Sequence, residues 1–147
     1  MVSSLLRRYF EENFFIIPIR KNDKRPLFKG WNNYPLSYME TMQYIKQGCN
    51  IAVVAKDLWI LDYDRQLGAP RIRDNIEYYH SFGTCVQFSP HGYHVFYRGD
   101  PTFIIDTDKI KPETVRHGDM YALIAPSKID GKSYWWLDDM KGEILRL

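Results

Sequence analysis

NIAVVAKDLWILDYD, residues 50–64, holds two apolar bursts separated by Lys56 and Asp57. That pattern predicts a β-hairpin whose second strand enters the interior. Leu58 and Ile60 set the buried side of this strand, and its two-residue period then puts the carboxylates of Asp62 and Asp64 on one face. Two like charges at the end of a buried strand repel, and a divalent ion would relieve the repulsion. Mg²⁺ or Mn²⁺ suits such oxygen donors, with a polyphosphate substrate completing the coordination. The plainer alternative is a wet strand end where the two Asp residues solubilise a turn.

Toward the carboxyl terminus, Gly68 and Pro70 end the extended region, and Ile72, Ile76 and Tyr79 mark one side of a helix over about residues 70–80. Residues 84–88 and 93–98 read as a second hairpin around SPHG, followed by a short strand at 103–105. TDKIKPET is a polar connection, 121–125 restores the strand pattern, and 133–137 forms one more extended element. Toward the amino terminus, Gly48 stops a helix that Ser37 and Glu40 open with a reciprocal capping box, and Tyr38, Met39, Met42 and Ile45 supply its packed side. Residues 14–19 form a strand that Pro18 confines to an edge or an exit. Before it, Ser3 or Ser4 caps a helix with Leu5, Leu6, Tyr9 and Phe10 on one stripe. Strands outnumber helices, and neither repeats nor a Gly/Ser linker divide the chain. The expectation is a single α+β domain over residues 1–147.

Composition narrows the function. Twenty basic and eighteen acidic residues among 147 leave a formal charge of +2, too balanced for a bulk counter-ion to DNA or an acidic membrane. Any nucleic-acid contact must be local. The basic residues are uneven, with seven Lys or Arg in residues 1–30. Among them Lys24, Arg25 and Lys29 stand near Trp31 and Tyr34, a composition that guides a template and stacks a base, or equally a solvated loop beside a core-closing Trp. Cys49 and Cys85 lack metal-site spacing and read as two buried thiols, a disulfide between them being the minor alternative. No apolar run approaches the roughly 20 residues that cross a bilayer. The amino terminus lacks a leader pattern, so a soluble, cytoplasmic protein without membrane contact is expected.

In FSPHGYHVFYR, residues 88–98, Pro90 and Gly92 organise a tight turn, while His94, Phe96 and Arg98 share one face of the outgoing strand. His94 either packs as a hydrogen-bonded core histidine or meets a triphosphate, and His91 reads as a turn residue. Arg98 bridges to a surface acid or offers its donor fork to phosphate. Of Tyr134, Trp135 and Trp136, alternation makes at least one Trp a packing residue.

Taken in order, these segments resemble the amino-terminal domain of bifunctional primase-polymerases, within the archaeo-eukaryotic primase superfamily. The resemblance runs through FFIIPIRKNDKRPLFKGW (14–31), the acid-terminated strand from Asn50, Pro90-His91-Gly92-Tyr93-His94, and ETVRHGDMYALIAPS (113–127), covering roughly residues 10–137. It implies a mixed domain with a curved, largely antiparallel sheet flanked by helices. It also implies metal ligation by Asp62 and Asp64 and contact of His94 with the nucleotide phosphates, with Arg98 or Arg116 assisting. The third carboxylate departs from the pattern: Thr114 stands two residues before Arg116, where the family often has an acid. Glu113 is the candidate, redirected by a small bulge, and Asp119 the alternative. The implied activity is template-directed extension of a DNA or RNA primer from nucleoside triphosphates with Mg²⁺ or Mn²⁺, alongside replication proteins such as a helicase. An inactive nucleic-acid-binding accessory domain and a metal-dependent nuclease are the competing readings.

Overall fold

A computed structural model describes residues 2–64 and 76–147. Helix α1 (Val2–Glu11) leads into β1 (Phe15–Ile19), which pairs with β2 (Asn50–Asp64) along one edge. Because α1 starts at Val2, Ser3 and Ser4 lie inside its first turn instead of capping it. Pro18 sits where expected, since β1 is the end strand of the sheet: β2 is its strand partner among the described residues, and its outer edge meets the isolated bridge between Ile19 and Pro26. Between them runs α2 (Tyr38–Lys46), whose capping box is complete: the Ser37 hydroxyl accepts from the Glu40 N–H and the Glu40 carboxylate from the Ser37 N–H. Thr41 is its buried residue, whereas Met39, expected on the packed side, is 67% exposed.

Residues 50–64 do not form a hairpin. They are one 15-residue strand whose two halves pair with other strands and not with each other, residues 50–54 with β1 and 58–64 with a later strand, while Lys56 between them takes positive φ at 52°. Opposite Lys56 stands Gly118 of β5 (Thr114–Ile124), itself at φ 65°, and the ladder between the strands shifts register on both sides of this pair. Both strands therefore bend together at one point, and alternation resumes beyond it.

After the bend, β2 pairs with β4 (Gly92–Arg98), which pairs with β3 (Val86–Phe88) as the expected second hairpin. Ahead of that hairpin, α3 (Ile76–His80) supplies the described part of the helix expected at about 70–80; the rest, with Gly68 and Pro70, lies outside the described residues. Residues 102–107 form α4 (Thr102–Thr107) in place of the expected strand. A short apolar run does not distinguish the two by periodicity, and here the Asp100 carboxylate accepts from the Thr102 N–H at 2.9 Å, starting a helical turn. Two-stranded β6 (Lys128–Ile129) and β7 (Lys132–Ser133) follow, then β8 (Trp135–Trp136) on the β3 edge and β9 (Leu145–Arg146) parallel to β4. The element expected at 133–137 is thus split. Trp136 is buried and Trp135 half exposed, stacked on Phe88 at 4.4 Å, as strand alternation requires.

The result is a mixed α/β fold built on an antiparallel sheet flanked by helices. Leu58, Ile60 and Phe96 join Leu6, Tyr9, Phe14 and Ile16 on the side covered by α1 and α2. Leu61, Tyr63, Tyr93 and Val95 pack with Tyr79, Ile104 and Ile105 on the other. Ladder order puts β5 three strands from β3, about 14 Å across a flat sheet. Yet the Gln87 side chain of β3 bonds both Leu123 O and Ala125 N at the end of β5. One side chain spans that gap only because the sheet curls, making the first face concave. Among the described residues, no helix is long and apolar enough to cross a membrane.

Candidate functional site

The acid-terminated half of β2 runs between β4 and β5, and the register decides what its carboxylates meet. Asp62 lies directly across from His94 on β4 and from Thr114 on β5, while Arg116 sits opposite Ile60, one step along the same face. All four side chains therefore belong to the concave face. His94 Nε2 is 3.4 Å from Asp62 Oδ1, and Arg116 Nη2 donates to Asp62 Oδ2 at 3.0 Å. Burial alone would raise the Asp62 carboxyl, but His94 and then Arg116 outweigh it and hold the group below its ordinary value. The Arg116 fork also donates from Nη1 to Tyr121 O at 3.2 Å, and its buried Nε has no hydrogen-bond partner among the described residues.

Gly92 forces β4 and β2 together at the mouth. A Cβ there would stand 1.9 Å from Tyr63 O, so only glycine lets the turn meet the backbone between the two Asp residues. Asp64 lies opposite this glycine. These residues line a cleft of about 790 Å³, within the size range of small-molecule sites. Glu113, exposed, is on the same wall, and its N–H donates to Asp62 O at 2.7 Å, prolonging the ladder one residue beyond Thr114. Tyr134 faces His94 with ring centres 6.3 Å apart. Its phenol is pushed up to about 12 by burial and by the Asp62 charge, so it stays a protonated donor.

The other end of the cleft is lined by Lys24, Trp31, Asp119 and Tyr121. Tyr121 Oη donates to Lys24 O and its ring meets Trp31 edge-on at 5.1 Å, fastening the basic loop to the cleft wall. Arg25 is held in a surface pair with Asp23 at 2.8 Å, and Tyr34 is 76% exposed.

The sequence expectations thus divide. Asp62, Asp64, His94, Glu113 and Arg116 share one cleft, but Arg98 does not line it. Four residues beyond His94 on β4, Arg98 donates to Asp57 Oδ2 at 3.0 Å and to Glu12 O at 2.6 Å, clamping the end of α1 to the sheet. The bulge expected near Glu113 is instead at Lys56 and Gly118. Asp119, the alternative third carboxylate, is paired with Lys56 at 3.1 Å. Gln87 was missed. Its signal was in the hairpin register: a turn centred on SPHG makes residue 87 the partner of residue 94, as observed.

Among the described residues, no three His, Cys, Asp or Glu side chains are gathered as a metal site. The donors nonetheless fit a hard divalent cation, because Mg²⁺ is commonly held by one or two carboxylates with substrate phosphates and water filling the remaining positions. Asp62 and Asp64, adjacent on one face of β2, supply that minimum, with Glu113 on the same wall.

Residues 6–146 match the family described as bifunctional DNA primase/polymerase, N-terminal (Prim-Pol). The chain belongs to this family. No match is found among curated proteins.

Proposed function

We propose that this primase/polymerase-family domain is a template-directed nucleotidyltransferase that extends a DNA or RNA primer. The observation that carries the reading is the cross-strand convergence of Asp62, His94 and Arg116 in one nucleotide-sized cleft. In the reaction the primer 3′ oxygen attacks the α-phosphorus of the incoming nucleotide, the bond to the leaving pyrophosphate breaks, and the hydroxyl proton is lost. Asp62 and Asp64, with Glu113, would hold Mg²⁺ or Mn²⁺, which when bound supplies charge neutralisation for the triphosphate and activation of the hydroxyl.

The chain's own side chains orient the reactants. His94, across from Asp62, directs Nε2 into the cleft toward the phosphates. Arg116 offers a guanidinium whose fork matches phosphate geometry as well as it matches the Asp62 carboxylate. Tyr134 supplies a hydroxyl, and Lys24 and Trp31 line the end where a template strand would lie. Aligning reactants on a prebuilt charge pattern is the main work of such a site.

Primer extension by the purified chain, with Mg²⁺ or Mn²⁺, a templated end and each nucleotide class, tests the reading. Asp62→Ala and Asp64→Ala should each lower extension by about 10²–10³ while keeping the fold. Wild-type rates in both folded variants contradict it. A nucleotide-binding accessory role has one observation in its favour: Thr114 occupies the ladder position across from Asp62, and Arg116 already neutralises that carboxylate. Nucleotide and template binding without turnover would select that role.

A further inference from the structure

We infer that Gln87 is a positioning residue that sets which nitrogen of His94 faces the cleft. Gln87 is fully buried on β3, directly across the ladder from His94. Its amide is oriented by two backbone groups of opposite character: the Ala125 N–H donates to Oε1 at 2.8 Å, and Nε2 donates to Leu123 O at 3.0 Å. A backbone N–H cannot accept and a carbonyl cannot donate, so the amide has only this one orientation. The second Nε2 hydrogen then points at His94 Nδ1, 3.2 Å away. Nδ1 must accept, which places the ring proton on Nε2, directed at Asp62 and the cleft.

The imidazole is thus anchored to the end of β5 through a side chain that touches neither the cleft nor any reacting group. The same contact that closes the sheet's curl therefore presents an N–H donor to whatever anion enters. The consequence for turnover rests on His94 being the group that meets the nucleotide phosphates; the nitrogen assignment itself does not.

The test is ¹⁵N NMR of histidine-labelled full chain, with His94→Gln identifying the His94 signals among the four histidines. Without nucleotide, wild-type His94 should show an unprotonated Nδ1 and a protonated Nε2. Gln87→Glu offers a carboxylate oxygen to Nδ1 and should draw a proton there; in primer extension it should cost about tenfold or more. A wild-type His94 protonated at Nδ1 overturns the inference, as does a folded Gln87→Glu chain whose His94 signals are unchanged. If Gln87→Glu does not fold, the wild-type spectrum alone decides. Adding nucleotide tests the reading of His94 separately: a shift of its Nε2 signal supports phosphate contact, whereas an unmoved Nε2 with the expected resting pattern sinks that reading and leaves the role of Gln87 intact.

Discussion

Both oxygens of Asp62 face a nitrogen of a neighbouring strand, His94 Nε2 on one side and Arg116 Nη2 on the other. Its folded carboxyl value is lowered, so the stabilisation from this charge is present above the unfolded value and is lost as pH falls through the folded one. Arg116→Met should therefore raise the Asp62 titration measured by ¹³C NMR and weaken the acid-side loss of stability; an unmoved titration would show that the pair contributes nothing. The third carboxylate is testable at the same scale. Thr114 shares the face of Asp62, whereas Glu113, exposed and one residue before the strand, reaches the ladder through its N–H bond to Asp62 O and lines the cleft wall. Glu113→Gln should weaken Mn²⁺ binding in the presence of nucleotide, and Thr114→Glu added to it should restore binding, both followed by calorimetric titration. A double variant as weak as the single one contradicts this placement.

Elements decide how the residues reach one another. Gly92→Ala would push a methyl group into Tyr63 O and separate β4 from β2 at the mouth, so it should destabilise the chain by about 1–3 kcal/mol in urea denaturation. Ser37→Ala removes half of the α2 capping box, at about 1 kcal/mol, and should leave the cleft's ligand binding unchanged. Local chemistry of this kind was legible in sequence: the capping box, the SPHG hairpin and the edge placement of Pro18 each follow from a few adjacent residues. What failed did so where local pattern is degenerate. The Lys56-Asp57 interruption looks alike as a turn or as a bend, and only pairing with Gly118, 62 residues along the chain, selects the bend. At 102–107 the apolar run fitted either period, and α4 places Ile104 and Ile105 against the second cluster while leaving Phe103 80% exposed.

At the scale of the whole molecule, the site exists because the sheet curls. Two-residue spacing accounts for the shared strand face of the paired acids and for the face that His94 takes, but neither it nor the family resemblance discloses that Arg98 is spent on Asp57 and Glu12 or that Gln87 spans the concave face, since both depend on contacts between distant strands. Cys49 and Cys85 are free thiols, and burial pushes Cys85 up to about 11, so thermal midpoints should be equal with and without reductant; a reductant-sensitive midpoint would reveal a bond not present here. The central claim is that the concave face gathers Asp62 and Asp64 to hold a divalent cation together with nucleotide phosphates at His94. The most direct measurement is the electron paramagnetic resonance of Mn²⁺ titrated with the chain and a nucleoside triphosphate. Protein-bound Mn²⁺ should depend on the nucleotide and disappear when Asp62 and Asp64 are both changed to Ala, whereas equal binding by the folded double variant would show that the cation is held elsewhere.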